Sequence, residues 1–274
     1  MSRRKHHTLE LLRNTDRSTL RLSDLEKRLS KSTGSERELS ALLSTLLDSI
    51  RLEPIVVRFT KESFTVPKLV IFDLDSTLVQ SEFMARIGAA EEHNLERKNK
   101  LLTLTQEALK GAGDWASNFT ERVRLLKGMD IELLHSYYKT IPLSEGAQQL
   151  MAMLRYHEIP TAIVSGAWLE YVQYIADCLQ IDERFGSEWE LSEGYLTGHI
   201  VGQPIGPQTK VSIMKELAAK YGITTDEVVV IADGHNDLPM MIEAGCTFMI
   251  STSQEPSPSF LPIQSSLEND LSTT

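Results

Sequence analysis

Asp73-Leu74-Asp75-Ser76-Thr77 puts two carboxylates two residues apart, directly after the apolar run Leu69-Val70-Ile71-Phe72. Side chains alternate along a strand, so Asp73 and Asp75 are expected to project the same way, at the edge where parallel sheets carry their active sites. Two carboxylates held together repel. A shared proton or a cation relieves the repulsion, and hard oxygen ligands suit Mg2+. Ser165-Gly166, after Ala162 to Val164, offers a hydroxyl and an unencumbered backbone N–H where a phosphate oxygen could be held. Asp233-Gly234-His235-Asn236-Asp237, after Val228 to Ala232, adds carboxylates that could complete a metal shell, and Lys210, near the start of a helical stretch, could counter phosphate charge. Taken singly, each fragment also reads as a turn, a helix cap or a solvated surface group.

The elements that must position these residues follow from periodicity. Leu69 to Phe72, Ala162 to Val164, Val228 to Ile231 and Phe248 to Ile250 read as buried parallel strands, with helical spacing around 145–158, 168–180, 208–221 and 237–244. Repeated βαβ units imply an α/β fold with a doubly wound parallel sheet and helices on both faces. About 80 residues separate the first strand from the one at Ala162, too many for a crossover. They imply an inserted helical bundle of Glu82 to Lys110, Trp115 to Lys127 and Ile131 to Lys139, sited to act as a lid. Trp189 to Val201 reads as a hairpin turning at Ser192-Glu193-Gly194, and Pro54 to Phe59 as an edge strand. Leucines between Leu9 and Leu52 predict two amphipathic helices, the second opened by the capping-box pair Ser35 and Glu38. The expected divisions are an N-terminal helical extension (1–66), an α/β core (67–80 and 144–260), a helical cap (81–143) and a flexible tail (261–274).

In order and spacing these pieces resemble the phosphoserine phosphatase family of the haloacid dehalogenase superfamily, from about Lys68 to Ile250. The resemblance is carried by DLDSTL at 73–78, Glu82, ERVRLLKG at 121–128, SG at 165–166, LTG at 196–198, Lys210 and DGHNDLPM at 233–240. It implies a Rossmann-like core with Asp73 as the nucleophile that forms an aspartyl-phosphate and Asp75 as the general acid and then base. It also implies Mg2+ held by the Asp73 carboxylate, the Asp75 backbone carbonyl and Asp233, with Asp237 in support. Ser165, Gly166 and Lys210 would grip the phosphoryl oxygens, and Asn236 would orient groups nearby. Glu82 would meet a substrate ammonium, Arg122 its carboxylate, and Trp115, where the family usually has phenylalanine, would shield the reacting phosphate. Three departures from the family tighten or crowd backbone turns: Ala232 and Ala167 replace glycines and His235 replaces a small residue. Ser253-Gln254-Glu255-Pro256 departs from the usual lysine-proline segment, and the strand and helix that normally follow are hard to find, which leaves the sheet edge in question.

Composition sets bounds on partners. The 274 residues carry a net charge of -10. Residues 1–31 hold nine Lys/Arg against four Asp/Glu, a surplus of five, which leaves about -15 elsewhere. An acidic body disfavours nonspecific nucleic-acid binding. No apolar run approaches a bilayer span, so a membrane protein is not expected. Two distant cysteines, Cys178 and Cys246, fit reduced thiols in the cytoplasm, with organelle targeting through the basic N-terminus as the alternative. The resulting expectation is a Mg2+-dependent phosphatase that converts O-phospho-L-serine to L-serine and phosphate, the last step of serine biosynthesis. The alternatives are a relative acting on another small phosphomonoester as phosphatase or phosphotransferase, and a noncatalytic regulatory module. The N-terminal helices are expected to pack on the main body as an appendage, with partner binding or a homodimer through the helical pair as the alternative.

Overall fold

The strands at the centre of the sheet are apolar at nearly every position because both of their faces are covered. In the computed structural model, which describes residues 55–59, 67–90, 94–111 and 113–250, seven strands form one sheet: β1 (Ile55–Phe59), β2 (Leu69–Phe72), β3 (Thr161–Trp168), β4 (Glu183–Ser192), β5 (Tyr195–Val201), β6 (Val228–Ala232) and β7 (Cys246–Ile250). Their order is β1-β7-β6-β2-β3-β4-β5, with β7, β6, β2, β3 and β4 mutually parallel. Alternation along β2 splits its side chains between two cores. Val70 and Phe72 join the layer built with helices α5 (Ala147–Tyr156) and α6 (Leu169–Leu179), and Leu69 and Ile71 join the layer under α7 (Pro207–Lys220) and α8 (Leu238–Glu243).

Four helices lie between β2 and α5: α1 (Phe83–Ala90), α2 (Leu95–Leu109), α3 (Trp115–Leu125) and α4 (Ile131–Tyr138). The single helix expected over Glu82 to Lys110 is therefore two. Asn94 starts the second by accepting the Arg97 N–H at 2.9 Å, so the chain turns there instead of continuing α1. Asp114 and Asp130 cap α3 and α4 in the same manner. The apolar face of this insertion, including Phe83, Ile87, Leu101, Phe119 and Val123, merges with the core on the α5/α6 side of the sheet. Its far end is tied to the β4–β5 hairpin through the backbone: Gly128 N–H donates to Leu196 C=O at 2.8 Å, Leu196 N–H to Met129 C=O at 2.9 Å, and Ile131 N–H to Gly194 C=O at 3.0 Å. The hairpin begins earlier than expected, at Glu183. It turns through Glu193 and Gly194, both left-handed at φ 51° and 83°, the conformation that suits the twist of a two-residue hairpin.

β3 runs on to Trp168 past the expected end at Val164, with a register shift against β4, so Ser165-Gly166 lies within the strand's last stretch and not beyond it. β1, expected as an edge strand, pairs antiparallel with the outer edge of β7 from Ile55↔Ile250 to Phe59↔Cys246. It therefore belongs to the core sheet although it falls inside the stretch assigned to the N-terminal extension, and it covers the edge for which no following strand could be found. The two N-terminal helices, the Ser253–Pro256 segment and the tail lie outside the described residues. Among the described residues, no helix is long and apolar enough to cross a membrane.

Candidate active site

The floor of the site is built where β2 and β6 end side by side. Asp73 extends the ladder by one bond, its N–H donating to the Ile231 carbonyl at 2.9 Å. The chain then folds back: the Leu74 carbonyl accepts the N–H groups of Thr77, Leu78 and Val79, and Ser76 sits in the left-handed region at φ 56°. That backbone is uncommon for a residue with a side chain, and here it accompanies the reversal that brings Asp73 and Asp75 to one cleft.

Beneath the cleft lies Lys210, on α7, with no exposed surface at all. Its ammonium donates to Asp73 Oδ1 at 2.7 Å and to Asp237 Oδ1 at 2.6 Å. A buried charge is tolerated only when paired and hydrogen-bonded, and two carboxylates from distant parts of the chain supply that here. Burial works against the ammonium, yet Asp237 and Asp73 more than offset it and hold its pKa above the ordinary lysine value. Asp237 itself is pushed up to about 7, by burial first and then by the neighbouring Asp73, with Lys210 pulling the other way. Asp233, at the end of β6, is raised well above the usual carboxylate range by burial and then by Asp73 and Glu82.

This floor carries more negative charge than one lysine neutralises. One carboxylate oxygen from each of Asp73, Asp233 and Asp237 lies within 4.8 Å of the others, and Asp237 Oδ2 is buried with no hydrogen-bond partner among the described residues. An orphaned acceptor beside hard oxygen donors and carboxyls that resist ionising fits a small divalent cation.

Asp75 faces a different set of groups. The Tyr171 hydroxyl, from α6, donates to its Oδ1 at 3.1 Å. Burial, then Glu82 and Asp73, raise its pKa well above the usual carboxylate value, against the smaller opposing effects of the Phe83 N–H and Tyr171. The two aspartates are thus differentiated by surroundings: one receives an ammonium, and the other accepts a tyrosine hydroxyl where burial and neighbouring carboxylates favour its neutral form.

The roof comes from the insertion. Glu82, just before α1, accepts the Ser76 hydroxyl at 2.8 Å, and burial raises its pKa in spite of that bond. Arg122, on α3, is 8% exposed and lies over the Phe119 ring, 5.5 Å from its centroid. Burial lowers its pKa and Glu82 and Asp75 oppose the shift; a guanidinium stays charged there. Trp115 stacks on Phe119 at 4.9 Å and reaches down to the core. A Cβ at Gly206 would fall 2.6 Å from the indole, and one at Gly166 3.3 Å from it and 3.0 Å from the Ile205 carbonyl. A second approach joins Gly111, in the α2–α3 turn at φ +66°, to His235, where an added Cβ would lie 2.4 Å from the imidazole.

Asp73, Asp75, Glu82, Trp115, Arg122, Ser165, Gly166, Asp233 and Asn236 all line this one cleft, together with His235; Lys210 and Asp237 lie buried below it. Sequence reasoning missed four contributors: Tyr171, the Ser76 hydroxyl, Asn118, which accepts a hydrogen bond from Arg122, and Trp189, whose ring forms part of the wall. Tyr171 stood at a core position of an amphipathic helix. The available signal was its hydroxyl, since a buried tyrosine tip seeks a partner.

The model of the haloacid dehalogenase-like hydrolases matches residues 70–241. A phosphoserine phosphatase of Archaeoglobus fulgidus is 37% identical over 178 residues, covering 65% of this chain and 51% of that protein. One from Streptococcus thermophilus is 33% identical over 66% of this chain and 82% of its own length. The chain thus spans about half of the first relative and most of the second. A solved phospho-aspartyl intermediate analogue of a phosphoserine phosphatase superposes with a TM-score of 0.59 at 32% identity, over 66% of this chain and 85% of that one.

Proposed function

This chain belongs to the haloacid dehalogenase-like hydrolases and, within them, to the phosphoserine phosphatase family, and from that premise we propose that it hydrolyses O-phospho-L-serine to L-serine and phosphate through an aspartyl-phosphate on Asp73. The observation that carries this reading is a single cleft with an acid pair, Asp73 and Asp75, on its floor and an opposite-charge pair, Glu82 and Arg122, on its roof. The first pair suits a phosphate ester. The second suits the ammonium and carboxylate of an amino acid, a combination that a plain phosphate site does not need.

With Oδ1 engaged by Lys210, Asp73 attacks phosphorus through Oδ2. The bond to the serine oxygen breaks as Asp75 gives that oxygen its proton, which releases serine and leaves the phosphoryl group on Asp73. Asp75, now a carboxylate, takes a proton from the water that attacks the aspartyl-phosphate, so that phosphate departs and both carboxyls return to their starting states. Ser165, the Gly166 N–H and Lys210 receive the charge on the phosphoryl oxygens, and Asn236 orients the neighbouring groups. Asp73, Asp233, the Asp75 carbonyl and, in support, Asp237 would hold Mg2+, which supplies further neutralisation of phosphoryl charge. Trp115, packed over Gly206, excludes water from above. The reaction corresponds to the last step of serine biosynthesis, a cytoplasmic role.

The test is phosphate release from L-phosphoserine beside a panel of other small phosphomonoesters, each with Mg2+ and with EDTA. Magnesium-dependent preference for phosphoserine is the expected outcome. Activity confined to other esters would keep the Asp73 chemistry and discard the substrate, and no activity on any ester would discard both.

A further inference from the structure

We propose that Asn118 is a positioning residue for substrate choice: its amide fixes Arg122 so that the guanidinium presents its two terminal nitrogens to the substrate carboxylate. The proposal rests on the reading of Arg122 as the carboxylate reader. Asn118 stands one turn before Arg122 on α3, and its Oδ1 accepts the Arg122 Nε–H at 2.9 Å. Its Nδ2 donates to the Leu104 carbonyl of α2 at 3.0 Å. Both ends of the amide are therefore committed, and each end has only one chemical choice. A carbonyl can receive only the NH2 group, which leaves the oxygen for the guanidinium.

An arginine beside a cleft has many rotamers and five N–H donors, and an unfixed one would have to be ordered by the substrate itself. Here the Nε–H is taken by Asn118 and one face of the guanidinium rests on Phe119. Arg122 has no other hydrogen-bond partner among the described residues. What remains is the edge with the two terminal nitrogens, whose fork matches a carboxylate in a bidentate pair. The link to Leu104 adds a second consequence. The direction of that fork depends on how α2 and α3 sit against each other, so the carboxylate reader is referenced to the insertion and not to the sheet.

The test uses the full chain and two ligands of equal phosphate and ammonium chemistry, phosphoserine and phosphoethanolamine, of which only the first has a carboxylate. Each is followed as substrate or as competitor, with Arg122→Ala, Asn118→Ala and the double variant. Arg122→Ala should raise KM for phosphoserine by about 30-fold or more, the scale of a lost charge-assisted pair, and that for phosphoethanolamine by less than about threefold. Asn118→Ala should raise KM for phosphoserine by about five- to tenfold, the scale of one ordinary hydrogen bond, with kcat within about twofold. In the Arg122→Ala background the Asn118 change should add nothing, because Asn118 acts only through Arg122. Asn118→Ser, which keeps a small acceptor, covers the case in which the alanine variant fails to fold, and should show the same selectivity at smaller size. Equal effects of Arg122→Ala on both ligands would overturn the reading of Arg122. A selective Arg122→Ala effect together with an unselective, absent or fully additive Asn118→Ala effect would leave that reading standing and overturn the role of Asn118.

Discussion

The floor and the roof of the cleft are held by opposite strategies. On the floor, Lys210 joins Asp73, 137 positions away, to Asp237, 27 positions away, and all three are withdrawn from water. On the roof, Arg122 is held by a residue four positions away on its own helix, and its aromatic support, Phe119, lies three positions away. The floor exists only when β2, α7 and the turn before α8 have all assembled. The Arg122 half of the roof is specified within α2 and α3, whereas Glu82, just before α1, is tied by the Ser76 hydroxyl to the turn that follows β2. The division implies that the Arg122 contact can be altered in the insertion with little effect on the chemistry, whereas Glu82 bears on Asp75 as well, and removing the buried cation of the floor is felt by chemistry and folding together.

The sharpest test separates chemistry from folding on the floor itself. Asp73→Asn removes the proposed nucleophile but keeps an oxygen that can accept from Lys210. We expect turnover to fall by at least about 10^4-fold, as for other removed nucleophiles, while the thermal melt stays cooperative. Retained turnover would end the aspartyl-phosphate mechanism.

Lys210→Met should instead damage both. It leaves Asp73 and Asp237 buried without their shared counter-charge, and breaking such a network by removing one partner costs about 3–5 kcal/mol. Urea unfolding should record that loss, well above the cost of Arg122→Ala on the roof. A stable Lys210→Met protein would show that the carboxyls relieve themselves by protonation and that the floor is less dependent on its lysine than the geometry implies.

The same contrast explains what could be read in the sequence. Asp73 and Asp233 announce themselves because each follows an apolar strand, and Ser165 because it follows the apolar run Ala162 to Val164 of β3; all three could be placed at one sheet edge by counting strands, before any contact was known. Lys210 could be named as a possible counter-charge from its place near a helix start, but only the family resemblance set it apart from an ordinarily solvated lysine, and nothing in its neighbours tells that it is wholly buried. The missed residues owe their roles to distance in sequence or to local geometry that residue type does not encode. Tyr171 reaches Asp75 across 96 positions from a helix face that reads as plain core. Ser76, whose backbone is left-handed, bonds Glu82 six positions on, a pairing that residue type alone does not announce. Asn118 looks like any polar residue of an amphipathic helix, and its partner at Leu104 is a backbone carbonyl, which has no sequence signature. In the fold, the strand centres were legible, but the cap at Asn94 and the pairing of β1 with β7 were not. One depends on a single side-chain bond, the other on which sheet edge was left open.

The smallest expected effect lies at the seam between roof and floor. Gly111 combines two constraints, a left-handed φ of +66° and a contact in which a Cβ would lie 2.4 Å from the His235 imidazole. Gly111→Ala should therefore lower stability by about 1–2 kcal/mol from the backbone alone. It should also lower kcat/KM several-fold if the α2–α3 turn must rest on His235 for the cleft to close. The two parts can be separated, because the obstructing atoms belong to a side chain that can be removed. His235→Ala in the Gly111→Ala background should restore the activity lost to crowding while leaving the backbone cost in place. Full recovery of stability as well would mean that the left-handed turn carries no strain. If activity does not recover, the turn affects the cleft through the helices on either side and not through His235, and the roof would then be coupled to the floor by Trp115 over Gly206 and by the Ser76–Glu82 bond.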